Sequence, residues 1–251
     1  MNIAIITGAS SGLGKEYFYR LVKDYPELDK IWVIARRKER LEELKTMSDK
    51  AVPLAFDITS PDFNKEFSEL LESEKPNVKI LINNAGYGKL GLFSDISLED
   101  NTGIVRLNCE AFTAVAYLTL KYMDKGAQII NICSIAAFAP NTRMTVYSST
   151  KAYVMSFSRA LRGELKPRGI NVLAVCPGPM ETEFLPVANI EKGTSETFDT
   201  LPRVSPAKIA EKSLTASKKG KAVYTNRVFY KFYRFVAKIL PTCLVMKMSG
   251  T

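Results

Sequence analysis

The chain has 251 residues, 46% of them apolar and 24% charged, which suits one large α/β domain or two small ones around a sizeable core. It has no histidine, and Cys109, Cys133, Cys176 and Cys243 show no paired spacing, which excludes Ser-His-Asp and Cys-His catalysis and argues against zinc. The net charge of +9 is confined to one end: from Lys212 onward there are nine basic residues and no acidic one. The first three cysteines lie in apolar patterns and read as buried free thiols of a reducing compartment. No run of 18 uncharged apolar residues and no basic leader before the first strand are present, so neither a spanning helix nor a signal peptide is expected, and a cytoplasmic location is.

The predicted elements alternate. Ile3-Ala4-Ile5-Ile6-Thr7 is a short apolar strand, followed at once by Gly8-Ala9-Ser10-Ser11-Gly12-Leu13-Gly14 and a helical pattern to about residue 25. Such a strand, glycine turn and helix let the backbone approach a pyrophosphate and aim free N–H groups at it, although a plain tight turn would read the same way. A second strand, residues 31–35, ends in Arg36-Arg37 before a charged helix over 38–47. An acid at that point would accept the ribose 2′-hydroxyl of NAD, whereas an arginine fork suits the 2′-phosphate of NADP. The third strand, 51–56, ends in Asp57, suited to capping a turn or bonding an adenine, and Ser60-Pro61 open a helix to about residue 73. The fourth, 79–82, runs into Asn83-Asn84-Ala85-Gly86, whose small residues leave room for a flat ligand.

Ser97 to Asp100 reads as a helix start opening one long helix through Asn108 to Met123. Asparagine is unfavourable inside a helix, so Asn108 needs a partner or a task. A fifth strand, 127–133, ends at Ser134; a helix from 145 to 165 carries Tyr147 and Lys151; a sixth strand, 170–176, ends in Pro177-Gly178-Pro179. Residues 181–204 are punctuated by prolines and read as a substrate lid, with Phe184, Leu185, Pro186 and Val187 favouring an apolar substrate. Ser205-Pro206 start a further helix, and 221–225 is a short seventh strand. Seven strands alternating with helices predict an α/β, Rossmann-type, doubly wound parallel sheet with helices on both faces. Residues 1–225 are expected to form a single domain, with 226–251 a basic amphipathic extension.

On a helix, Tyr147 and Lys151 stand on one face. The ammonium favours phenolate and brings proton exchange nearer working pH, as a general acid for carbonyl reduction requires. Together these stretches resemble the one-domain short-chain dehydrogenase/reductase family. Five motifs occur in family order: Thr7-Gly8-x-x-x-Gly12-x-Gly14, Asn83-Asn84-Ala85-Gly86, Asn108, Ser134 with Tyr147-x-x-x-Lys151, and Pro177-Gly178 followed by Thr182. The resemblance implies that Ser134 orients the substrate carbonyl and Tyr147 passes the proton. It implies that Lys151 lowers the phenol pKa and holds ribose hydroxyls, and that Asn108 holds a water extending the proton path. It assigns Gly8, Ser10, Ser11, Gly12, Leu13, Asp57, Asn84, Ala85, Gly86, Pro177, Gly178 and Thr182 to the cofactor. With Ala35 where an acid would stand, Arg36 and Arg37 favour NADP(H) over NAD(H), although Ser11 occupies a position where NADP-preferring relatives often carry a base.

The implied activity is NADPH-dependent reduction of a ketone or aldehyde, with a nucleotide-binding sensor or scaffold that has lost its chemistry as the alternative. An epimerase or dehydratase is disfavoured, because the chain ends too soon for the larger substrate domain of such enzymes. Relatives pair through two long helices, which implies a homodimer or homotetramer, here supported only by Ala111, Ala114, Val115 and Leu118. In the extension, residues 227–240 read as a helix whose charges, Arg227, Lys231, Arg234 and Lys238, share an arc of about 60°. Its apolar remainder is expected either to pack on the lid or a partner subunit, with the basic stripe in solvent, or to make weak peripheral membrane contact. Nucleic acid is not expected, because aromatics and charges are not interleaved.

Overall fold

Alternation along the first strand divides the interior into two cores. In the computed structural model, which describes residues 1–191 and 193–248, β1 (Asn2–Thr7) turns Ala4 and Ile6 to one face of the sheet and Ile3 and Ile5 to the other. All four are fully buried, as expected of a parallel sheet covered on both sides. The remaining strands are β2 (Lys30–Ile34), β3 (Ala51–Leu54), β4 (Asn77–Asn83), β5 (Gln128–Ile132), β6 (Asn171–Cys176) and β7 (Val223–Thr225). All pair in parallel, in the order β3-β2-β1-β4-β5-β6-β7. This is the doubly wound arrangement expected from the sequence.

Helices α1 (Gly12–Asp24), α2 (Lys38–Met47) and α3 (Phe63–Glu74) follow the first three strands. Then come α4 (Leu98–Val105), a π-helical turn (Arg106–Ala111), α5 (Phe112–Leu120) and α6 (Thr145–Leu165). Short helices α7 (Phe184–Val187) and α8 (Glu196–Thr200) lie between β6 and α9 (Pro206–Lys218), which is followed by α10 (Val228–Ile239) and α11 (Thr242–Met248). One core joins α1, α2 and α9 through Tyr17, Phe18, Leu21, Leu41, Leu44, Ile209 and Leu214. The other joins α3, α5 and α6 through Phe63, Phe67, Leu71, Val115, Ala116 and Leu165. Burying each large side chain contributes roughly 1.5–3 kcal/mol, so these two layers hold the sheet rigid under its C-terminal edge.

Several expectations shift. The long helix through Asn108 is interrupted by the π-turn, and the run ends at Leu120 rather than residue 123. Ser60 and Pro61 lie in a turn before α3, which starts at Phe63. Ala111 and Val115 pack on the sheet, so they cannot form a contact between subunits. The segment after Pro241 forms α11. Among the cysteines, Cys133 and Cys176 are buried, Cys109 is half-buried and Cys243 is exposed. Among the described residues, no helix is long and apolar enough to cross a membrane.

Candidate active site

Because all strands run parallel, their C-terminal ends share one edge, and the residues that follow them line a single cleft of about 1090 Å³. The cleft takes in Gly8, Ser10, Ser11, Gly12 and Leu13 after β1, Arg36 and Arg37 after β2, and Asp57 after β3. Asn84, Ala85 and Gly86 after β4, Ser134 after β5, and Pro177, Gly178 and Thr182 after β6 complete the edge, with Tyr147 and Lys151 from α6. Of the candidate residues, only Asn108 lies outside this lining.

Two motifs 76 residues apart prove to be one device. The Asn84 Nδ2 donates to the carbonyls of Thr7 (2.9 Å) and Gly8 (3.2 Å), while the Thr7 hydroxyl accepts from the backbone N–H groups of Asn84 and Ala85, both at 3.0 Å. Gly8 has φ +68°, and a Cβ there would press on the Asn84 amide and Ala85 backbone, so glycine is what lets the turn close on β4. The Asn84 amide therefore braces the turn from the cleft lining.

Arg37 donates to the hydroxyls of Ser10 and Ser11 and pairs with Glu183 at 2.8 Å; Arg40 reaches the same carboxylate at 2.7 Å. The two guanidiniums, Arg37 foremost, hold the Glu183 carboxyl below its usual range. Glu183 and Arg40 escaped the sequence reading because only the fold brings the segment after β6 to α2. Among the described residues no ion pair engages Arg36, which leaves it the freer of the two arginines. Burial works to raise the Asp57 carboxyl, but the Thr59 hydroxyl and N–H (2.7 and 2.9 Å) and nearby Arg36 outweigh it and hold it low. Asp57 thus caps a turn with one oxygen. Thr182 rests against Gly12, and its hydroxyl accepts from the Phe184 N–H at 3.3 Å.

At the other end of the cleft, Tyr147 is buried with the Ser134 hydroxyl beside its oxygen. Ser134 also caps the 3-10 turn Ile135–Ala137 by accepting from the Ala136 N–H at 3.1 Å, which fixes its orientation. Lys151 is buried too; its Nζ donates to the Ile132 carbonyl at 2.9 Å and sits 5.7 Å from the centre of the Tyr147 ring. Burial pushes the phenol pKa well up, with the Ser134 hydroxyl working against it, and burial also lowers that of the Lys151 ammonium. This differs from the sequence expectation of a phenol brought down by its lysine: removal from water dominates both groups.

Asn108 occupies the π-turn, a departure from the α-helix often found at functional sites. Its amide donates to the Tyr87 carbonyl (2.9 Å) and the Thr150 hydroxyl (3.0 Å), and its Oδ1 accepts from the Tyr87 N–H (3.1 Å). It ties the segment after β4, at Tyr87, to the turn of α6 between Tyr147 and Lys151. A Cβ on Gly86 would meet both Asn108 Oδ1 and Lys151 Nζ, so these atoms converge on one point of the backbone.

Beside Tyr147 the lining is apolar. Met144, Phe184, Leu185, Val187, Phe198 and Leu201 form it, and Phe184 lies 5.5 Å from the Tyr147 ring, centre to centre. Phe229, Tyr230 and Tyr233 of α10 also line the cleft.

Residues 2–192 match the family described as short chain dehydrogenase. A Mycobacterium tuberculosis protein described as "Probable oxidoreductase EphD" is 28% identical over 264 aligned positions, covering 95% of this chain and 43% of that protein. The chain thus spans less than half the length of that curated relative. A short-chain dehydrogenase from Sphingobium yanoikuyae, solved in complex with NADPH, superposes with a TM-score of 0.78 at 28% identity, covering 96% of this chain and 97% of the other. A 3-ketoacyl-(acyl-carrier-protein) reductase from Brucella melitensis, complexed with NADH, gives 0.75 at 25% identity over 89% and 96%. Since the family match runs from β1 through β6, every strand end that lines the cleft lies inside it, and the chain belongs to the short-chain dehydrogenase family of oxidoreductases.

Proposed function

We propose that the chain reduces a ketone or aldehyde with NADPH, and in reverse oxidises the corresponding alcohol, with Tyr147 as the proton donor. The observation that carries this reading is the buried Ser134 hydroxyl and Tyr147 phenol side by side, with the Lys151 ammonium against the same ring, at the apolar end of the cleft. A dinucleotide fits the rest of the cleft: the Gly8 turn brings bare backbone to the lining, and Arg36 borders the β2 end where a 2′-phosphate would lie. When bound, the cofactor supplies a hydride to the carbonyl carbon. As that carbon is reduced, charge develops on the oxygen, and the Ser134 and Tyr147 hydroxyls donate to it. Tyr147 then yields its proton, and Lys151 stabilises the phenolate left behind. Asn108 holds the geometry from behind through Tyr87 and Thr150, and the water that would return the proton is assigned to it.

NADPH is favoured over NADH by Arg36 and Arg37, and the 2′-phosphate would compete with Glu183 for Arg37. The apolar lining favours an apolar substrate. The test is to record NADPH oxidation against aldehydes, diketones, long-chain ketones and steroids, then to repeat it with NADH. Turnover with NADPH on at least one apolar carbonyl is expected; silence across the panel with retained NADPH binding would support the scaffold alternative.

Subunit pairing is assigned to the outer faces of α4, α5 and α6, where Leu98, Val105, Tyr117 and Tyr153 are exposed. Light scattering at micromolar concentration is expected to give a multiple of the 28.0 kDa chain mass. A 28.0 kDa particle would remove that part of the reading.

A further inference from the structure

Helix α10 turns outward the face a helix of this kind ordinarily buries. It is held to the body by Tyr230, which is fully buried and donates its hydroxyl to the Pro202 carbonyl at 2.9 Å, and by Tyr233, whose ring lies 5.9 Å from that of Phe138. On the opposite side Val228, Phe232, Phe235 and Ile239 are 81, 63, 60 and 62% exposed. At about 100° per residue these four fall within an arc of about 60°. Beside them, on one flank only, run Arg227, Lys231, Arg234 and Lys238, and Leu240 and Leu244 continue the apolar surface toward α11. One edge of α10 thus packs on the 181–204 segment through Pro202, as one reading of the sequence expected, while the aromatic row stays uncovered within the chain.

We propose that this face docks the protein on an anionic lipid bilayer, with Phe232, Phe235 and Ile239 at the acyl boundary and the basic flank at the level of the phosphates. Charge complementarity selects this occupant. The chain carries its whole positive excess from Lys212 onward, and among the described residues no ion pair engages Lys231, Arg234 or Lys238. A second copy fits poorly: antiparallel pairing about a two-fold axis would set the two basic flanks side by side. One row on a 12-residue helix also falls short of the roughly 1,000 Å² that a stable interface needs.

Phe229, Tyr230 and Tyr233 of the same helix line the cleft, and Phe229 is itself exposed between the cleft and the outward row. A docked α10 therefore brings the cleft mouth beside the lipid. Resting on the reductase reading, this makes the substrate a membrane-dissolved carbonyl compound that enters along Phe229 without crossing water.

The experiment is co-sedimentation of the full chain with phosphatidylcholine vesicles, with and without phosphatidylglycerol, at low and high salt, in the absence of substrate. The double variants are Phe232→Ser with Phe235→Ser, and Lys231→Glu with Lys238→Glu. These positions are exposed and lie outside the cleft lining, and unchanged thermal unfolding and NADPH binding verify their folding. Pelleting with anionic vesicles at low salt, release by high salt, and a loss of about tenfold or more in partition for each double variant are expected. A wild-type chain left in the supernatant with anionic vesicles at low salt overturns the proposal, as does binding that survives both variants. A drop in particle mass by light scattering in the serine variant, without vesicle binding by the wild type, also overturns it, in favour of contact between copies. Sedimentation needs no turnover, so its outcome is independent of the reductase reading.

Discussion

Helices α6 and α10 each carry a tyrosine with a cation four residues later, Tyr147 with Lys151 and Tyr230 with Arg234, and both tyrosines line the same cleft. Each ring also lies where a glycine leaves space: a Cβ on Gly88 would press on Tyr147, and one on Gly178 on Tyr230. The spacing is the same and the chemistry is not. The Tyr230 hydroxyl donates to a backbone carbonyl of Pro202, which makes it a fastener; burial lifts its pKa to about 12, with Arg227 and Arg203 pulling the other way. The Tyr147 oxygen instead neighbours a second hydroxyl, that of Ser134, and its cation is buried and held by the Ile132 carbonyl rather than lying on a basic flank. Periodicity brings a phenol and a cation together. The destination of the phenol oxygen decides what the pair is for.

The largest effect that would break this contrast is expected at Tyr147. Tyr147→Phe should lower kcat for carbonyl reduction by about 10² or more while leaving the NADPH dissociation constant unchanged, because it removes one transferable proton and little volume. Steady-state kinetics retaining more than about a tenth of the wild-type rate would end the distinction. The same phenol sets a pH dependence. With its pKa raised by burial, Tyr147 stays protonated through neutral and mildly alkaline pH, so reduction should stay level there. Alcohol oxidation, which needs the phenolate, should rise with pH over the same window. A reduction rate that falls through neutrality, with the rate of cofactor binding unchanged, would contradict the burial-dominated phenol.

Next in size is the packing of α10. Gly178→Ala forces a methyl into the Tyr230 ring and should destabilise the fold by about 1–3 kcal/mol, read by thermal or denaturant unfolding. Arg36→Ala should narrow the gap between NADPH and NADH dissociation constants, and salt should narrow it in the wild type; equal constants in the wild type remove the argument. Smallest is Tyr230→Phe, which loses one hydrogen bond and should cost about 1 kcal/mol of stability with kcat nearly intact. A kcat loss matching that of Tyr147→Phe would show that α10 carries chemistry after all.

Much of the fold was legible because each strand announces itself by an apolar run and each helix by its period, and strictly alternating elements leave a parallel sheet as the economical solution. The lining of the cleft followed from that topology, since parallel strands put all their following loops at one edge. Asn108 was legible as an anomaly, a mid-helix asparagine, but the π-turn that carries it was not, because that turn answers to Tyr87 and Thr150 rather than to local propensity.

What the sequence determined by itself, then, is everything that depends on neighbours within a few residues: the glycine turn, the Tyr147–Lys151 face, the basic arc of α10. The tertiary structure decided what depends on partners far along the chain. Asn84 braces Gly8 across 76 residues, Glu183 reaches Arg37 from the segment after β6, and burial raises the pKa of Tyr147. The outward turn of the α10 aromatic row belongs to the same class. A helix pattern shows which residues share a face, and only a docking contact such as Tyr230 on Pro202 selects the face that meets the body.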